Sequence, residues 1–357
     1  MSLLDTTLSR IGNPDAAASS AARSRQATLT KPPGSLGVLE DLAVRIAGIT
    51  GKAVPVLGPG TAFVMAADHG VAVEGVSAYP QEVTAAMVRN FLSGGAAVNA
   101  LAAFSGFRVS VTDCGVASDL GTPPGLRVRK VRPGTDDISR GPAMSRREAL
   151  RSLEIGIEAF EDEWSADPFS LAAVGEMGIG NTTPSAAIVA TFTGRPPRDV
   201  TGRGTGIDEG ALGRKIAVVE QALAVNRPDP SDAVDVLAKV GGFEIGAMTG
   251  VMLAAAARRI PVLVDGFISS AAALIARGLC PRAPEYMIAG HRSVEAGQAA
   301  ALGLLGLVPV LDLGMRLGEG TGAVLAAAVC RAACEVHARM ATFEEAGVPE
   351  APERETQ

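Results

Sequence analysis

Six short apolar runs punctuate the chain, at residues 62–67, 108–112, 171–175, 261–264, 286–289 and 309–311. Most are followed within about twenty residues by a segment of helical spacing, the pattern of βαβ units feeding a parallel sheet. One interval is longer. Between 175 and 261 lie a glycine-rich loop and helical patterns around 186–192, 208–225, 233–240 and 244–257. The stretch 127–132 is a candidate for a short accessory strand.

The two ends read differently. Residues 15–29 form an Ala-rich helical pattern that stops at Lys31-Pro32-Pro33-Gly34, since proline lacks the N–H a helix needs. A second helix is predicted over 38–49, and a Pro- and Gly-bearing linker over 51–60. The last helix, 323–340, is Ala-rich again, and the acidic, proline-bearing tail after it is expected to fray. These features predict a small helical domain from 1–56 and 323–357, beside a large α/β domain from 57–322.

With 47% hydrophobic and 20% charged residues, the chain can bury a sizeable core. Its longest apolar stretches are interrupted by Asp265 and Arg331 short of the ~18–20 residues that cross a bilayer. The first fifteen residues lack the basic start and apolar run of a signal peptide. A cytoplasmic protein with no membrane association is expected. Net charge is −6, with only two Tyr and one Trp, which argues against a nucleic-acid partner. Cys330, Cys334 and His337 share one helix face, but without a complementary cluster they read as packing residues, and no metal is expected.

The chemistry concentrates where strands end. Asp68-His69, Asp113, Glu176, Asp265, His291, and then Asp312 with Glu319 follow the successive runs. Parallel α/β sheets bind ligands at their carboxyl edge, although single carboxylates there often do no more than cap the next helix. Three glycine-rich loops accompany them, at 175–183, 202–206 and 318–322. Such loops let backbone N–H groups approach an anion, and a following helix N-terminus adds a favourable dipole. The helix after the second loop carries Lys215, one of only five lysines. A phosphate cradle is therefore expected. Neither a G-x-G-x-x-G dinucleotide fingerprint nor a P-loop is present, and no nucleophilic Ser/His/Asp arrangement appears. The residues alone thus describe an α/β enzyme for a small phosphorylated ligand, with the substrate open.

Longer motifs narrow it. Lys31-Pro32-Pro33-Gly34-Ser35-Leu36-Gly37, Ala67-Asp68-His69-Gly70-Val71, Gly175-Glu176-Met177-Gly178, Asn181-Thr182-Thr183-Pro184, Val240-Gly241-Gly242-Phe243, Met248-Thr249-Gly250, Asp265-Gly266-Phe267 and Arg316-Leu317-Gly318-Glu319-Gly320 occur in that order. Together they resemble the nicotinate-nucleotide–dimethylbenzimidazole phosphoribosyltransferase family, from about residue 5 to residue 340.

The resemblance implies an open, mainly parallel Rossmann-like sheet of about six strands with flanking helices. It implies transfer of phosphoribose from nicotinate mononucleotide to 5,6-dimethylbenzimidazole, giving α-ribazole 5′-phosphate and nicotinate in cobalamin biosynthesis. It further implies a homodimer that uses neither metal nor cofactor. By resemblance, Glu319 is the catalytic base and Glu176 a second catalytic carboxylate. Gly178, Asn181, Gly202, Gly204, Lys215, Asp265, His291 and Ser293 match positions around the nucleotide, and Tyr79, Met87 and Leu317 the base pocket. Tyr79 and Met87 are larger than the side chains typical of the family there, which leaves the acceptor open among benzimidazoles, adenine and phenolics. The alternatives are a same-fold transferase for another acceptor, or a non-catalytic nucleotide-binding subunit.

Overall fold

The computed structural model describes residues 1–349; the end of the acidic tail lies outside the described residues. Among the described residues, six strands form one all-parallel sheet: β1 (Gly60–Ala67), β2 (Phe107–Gly115), β3 (Leu126–Val128), β4 (Leu171–Met177), β5 (Val262–Val264) and β6 (Met287–Ala289). Their order across the sheet is β3-β2-β1-β4-β5-β6. This is the doubly wound dinucleotide-binding order, in which connections run outward in opposite directions from the centre. All eight residues of β1 are buried, as a central strand covered on both faces requires. Phe63 of β1 stacks on Phe160 and meets Phe169 edge-on, joining the sheet to helix Arg146–Ala166.

Two expectations change. The run 309–311 is no strand: Leu311 makes a single bridge to His291 beyond the end of β6. Pro309 has no N–H to donate to a ladder, and the chain turns away after Leu311. The sixth strand is β3, three half-exposed or exposed residues at the sheet edge, starting one residue before the accessory stretch.

The described residues divide into two compact units, one of residues 1–13 and 58–327, the other of 14–57 and 328–349. In the second unit Asp15 caps helix Ala16–Thr28, accepting from the Ala18 N–H, and helix Val38–Thr50 ends on left-handed Gly51. Lys31 pairs with Glu40 at 2.8 Å. His337 is buried with both ring nitrogens engaged, Nδ1 with the Gln26 amide and Nε2 with the Ala53 carbonyl. It is therefore a satisfied packing residue. Part of the segment expected to fray is ordered: Thr342 caps a short helix, Phe343–Ala346, through a reciprocal bond with Glu345.

By length and composition alone, helix Thr321–Arg339 could cross a membrane. The sequence expectation of no such segment is corrected to that extent. Its apolar side chains Ala323, Val324, Ala326, Ala327 and Cys330 are buried against protein, which accounts for the composition as core packing.

Candidate active site

Strand order reverses between β1 and β4, so their carboxyl ends open a crevice there. A cavity of about 690 Å³ occupies that edge, wholly within the large unit. Of the residues that the resemblance assigns to the site, all line it except Gly202 and Lys215.

Glu176 is the penultimate residue of β4 and is only 7% exposed. Its Oε2 accepts a hydrogen bond from the Asn181 amide, so the loop after β4 closes on its own strand. Burial pushes the Glu176 carboxyl up; the Asn181 bond opposes this, Glu244 and Asp265 add to it, and the pKa stands at about 8. At neutral pH this carboxyl is protonated.

Glu319 faces the same cavity from the loop before helix Thr321–Arg339. Its backbone is left-handed, φ +64°, between Gly318 at +87° and Gly320 at +92°. A non-glycine residue in that region is strained, and such strain collects at functional sites. Two contacts hold it. The Glu319 carbonyl packs so close to Gly175 that a Cβ there would lie 2.2 Å from its oxygen. Asp265, at the end of β5, accepts from the N–H groups of Gly320 at 3.2 Å and Ala323 at 3.0 Å. Asp265 thus caps the helix and pins the loop carrying Glu319. Burial raises the Glu319 carboxyl, the Val98 N–H works against the shift, and Asp265 adds to it. His291 lies 3.5 Å from Asp265; burial disfavours its charged form, but the carboxylate outweighs burial and the imidazole pKa is raised.

On the opposite wall, the loop 202–206 meets helix Thr182–Thr193. Lys215 is fully buried behind it, its Nζ donating to Thr182 Oγ1 at 2.7 Å and to the Gly202 carbonyl at 3.1 Å. Burial lowers its pKa to about 8, against the pull of Glu295. Glu295 accepts from the Gly204 N–H at 2.8 Å, and a Cβ at Gly202 would stand 2.1 Å from its other oxygen. Gly202 and Lys215 therefore support the cradle from behind, and Gly204, at φ +52°, forms its surface. Ser293 contributes to the wall and accepts from the Glu295 N–H at 3.3 Å.

Tyr79 and Leu317 are 57% and 59% exposed at the mouth, with Met87 beside them, leaving an apolar rim. Thr205 ties this rim to the cradle by accepting from the Ala78 N–H at 2.9 Å.

Other residues at strand ends serve structure. Asp113 accepts from the N–H groups of Gly115 and Val116, and Asp68 from Ala117. His69 turns inward to Glu244 at 2.7 Å, and Asp312 pairs with Arg292 at the surface. Conversely, Thr182, Thr205, Glu295 and Arg316 line the cavity without having been singled out individually. Arg316 and Thr182 lay inside quoted motifs; Glu295 had no local signal. Among the described residues, no cluster of three or more His, Cys, Asp or Glu side chains is placed to hold a metal ion.

A family model described as phosphoribosyltransferase matches residues 11–348. The chain is 60% identical over 348 residues to the nicotinate-nucleotide–dimethylbenzimidazole phosphoribosyltransferase of Roseiflexus sp. (strain RS-1), covering 98% of each chain. It is 59% identical to that of Chloroflexus aggregans (strain MD-66 / DSM 9485), covering 99% of this chain and 100% of the relative. The crystal structure of the Thermus thermophilus enzyme of the same name superposes with a TM-score of 0.90 at 47% identity, covering 94% of this chain and 100% of that one.

Proposed function

Because the chain belongs to the nicotinate-nucleotide–dimethylbenzimidazole phosphoribosyltransferase family and is an enzyme of pentosyl transfer, we propose the following roles for its residues in that reaction. The phosphoribosyl group of nicotinate mononucleotide passes to 5,6-dimethylbenzimidazole, releasing nicotinate and forming α-ribazole 5′-phosphate. The leaving ring is already a cationic pyridinium, so no acid has to protonate it as a glycosidase must protonate a poor leaving group. The acceptor is the partner that loses a proton, once its other nitrogen bonds to C1′.

The observation that carries the reading is the pair of buried carboxyl groups in one cavity, Glu176 and Glu319. Paired carboxyls in different environments commonly divide acid and base work. Glu176, with a pKa of about 8, is neutral at working pH and holds the ribose side of the site. Glu319, whose carboxyl is raised by burial, is the base that takes the benzimidazole proton. Asp265 positions the Glu319 loop through its two backbone bonds, with His291 as its ionic neighbour. Gly178, Asn181, Gly204 and Ser293 surround the nucleotide, and Gly202 and Lys215 set the height of the cradle. Tyr79, Met87 and Leu317 receive the planar acceptor at the rim, where an exposed ring stacks on a heterocycle. The acceptor is thus a benzimidazole-type base. The same reading takes the enzyme as a cytoplasmic homodimer, and light scattering on the purified protein would test its dimeric state.

Mass spectrometry of the product formed from nicotinate mononucleotide and 5,6-dimethylbenzimidazole tests the reaction. A species of the mass and fragmentation of α-ribazole 5′-phosphate is expected. Product with adenine or a phenol alone would move the chain to the other-acceptor reading, and binding without turnover would make it a nucleotide-binding subunit.

A further inference from the structure

Resting on the reading just given, we propose that Arg316 is the charged clamp for the 5′-phosphate of the nucleotide. Four carboxyl groups line the cavity, those of Glu176, Asp265, Glu295 and Glu319. Among the described residues, Arg316 is the one Lys or Arg side chain that lines it with them. A phosphate carries close to two negative charges at neutral pH. Even with Glu176 neutral, a wall carrying the other three carboxyl groups needs a cation to receive it.

Lys215 is the other nearby cation, but it sits inside the protein, with Thr182 Oγ1 and the Gly202 carbonyl as its acceptors. Arg316 is exposed, and its Nη1 donates to the Gly204 carbonyl at 3.3 Å. That bond is long and solvent-facing, so breaking it loses little. The guanidinium makes no ion pair and no other hydrogen bond among the described residues, which leaves most of its five N–H donors for a ligand.

Its position fits a phosphate rather than the ring. Gly204 stands between Arg316 and the start of helix Thr182–Thr193: a Cβ on Gly204 would lie 2.8 Å from Thr182 Oγ1, while its carbonyl faces Arg316. A phosphate over Gly204 is then bounded by the helix N-terminus on one side and by a guanidinium fork on the other. The fork geometry matches two phosphate oxygens, which a point charge does not. Arg316 also lies three residues before Glu319, so the loop that supplies the base supplies the clamp.

The test uses Arg316→Gln and Arg316→Lys, with affinities for nicotinate mononucleotide, ribose 5-phosphate and nicotinate measured by calorimetry. Arg316→Gln should weaken the nucleotide and ribose 5-phosphate by a similar factor of roughly ten to a hundred, the range of a charge-assisted hydrogen bond. It should leave nicotinate unchanged, and Arg316→Lys should recover part of the loss. In turnover, KM for the nucleotide should rise more than kcat falls. Weakened nicotinate with unchanged ribose 5-phosphate would assign Arg316 to the ring carboxylate and overturn the proposal. No loss for either ligand, or equal loss for both, would also overturn it. Wild-type protein that binds the nucleotide but makes no α-ribazole 5′-phosphate would refute the transfer reading, while these affinities would still report on Arg316.

Discussion

Glu176 occupies the space that a side chain at position 318 would need: a Cβ on Gly318 would stand 2.3 Å from Glu176 Oε1. The backbone there is also left-handed, φ +87°. The loop bearing Glu319 and the strand carrying Glu176 therefore touch through a glycine, and the distance between the two carboxyl groups depends on it. Gly318→Ala should push Glu176 aside and strain the turn, at a cost of about 1–3 kcal/mol for the backbone alone. Activity should fall at least tenfold with a lowered melting temperature, as measured by steady-state kinetics and thermal denaturation. A variant with unchanged kcat and melting temperature would mean that the loop yields freely.

The protonation of Glu176 should be visible in stability. Its folded pKa, about 8, lies above the ordinary 4.5, so the folded protein holds a proton that the unfolded chain has released between those values. The favourable contribution is full below about 4.5 and fades as pH rises through 8. Its slope cannot exceed about 1.4 kcal/mol per pH unit for one group. Denaturant titrations from pH 5 to 8.5 should show wild-type stability declining relative to Glu176→Gln, whose neutral amide does not titrate. Parallel curves for the two proteins would place an ionised Glu176 in the folded state.

How much of this was legible follows from local signals. β1 and β4 were readable because their residues are almost all buried, and a doubly covered strand is an uninterrupted apolar run. β3 was hardly readable, since Leu126, Arg127 and Val128 are partly exposed at an edge and carry no apolar pattern. The run at 309–311 misled because apolar residues beside a sheet look like strand even where only Leu311 bridges. In the site, Glu176 and Glu319 were marked by glycines that the close approach of their loops requires. Glu295 was not, because its partner Gly204 is 91 residues away and nothing in its own neighbourhood encodes the pairing. Asp68 and His69 carried the same signal as Glu176 and yet turn inward, towards Ala117 and Glu244. Side-chain direction at a strand end is a tertiary property.

Lys215 lies behind the cradle, and that changes what its removal should do. Lys215→Met keeps the buried stem but leaves Thr182 Oγ1 and the Gly202 carbonyl without their donor. Unsatisfied buried groups cost about 1–3 kcal/mol, so thermal stability should drop measurably as nucleotide KM rises. Thr182→Val, which removes only one of the two acceptors, should show a smaller loss of both. Wild-type stability with a raised KM would instead indicate direct contact between Lys215 and the phosphate.

Glu319 carries the strongest expectation. Gln in its place keeps size and hydrogen-bonding capacity but cannot accept the benzimidazole proton, and it removes a negative charge beside an oxocarbenium-like ribose. Loss of a general base commonly lowers rate by ~10²–10⁴. The cradle around Gly204 and Thr182 lies on the other wall, so affinity for nicotinate mononucleotide should survive. The fall should therefore appear in kcat. Glu176 can replace Glu319 only above its pKa of about 8, where it becomes ionised. Residual turnover of Glu319→Gln should accordingly climb as pH passes 8, while Glu176→Gln/Glu319→Gln should stay flat. A single variant within about threefold of wild type, far short of the general-base range, would remove Glu319 from the proton transfer. A fall in kcat without the rise above pH 8 would keep Glu319 as the base and leave water, not Glu176, as its substitute.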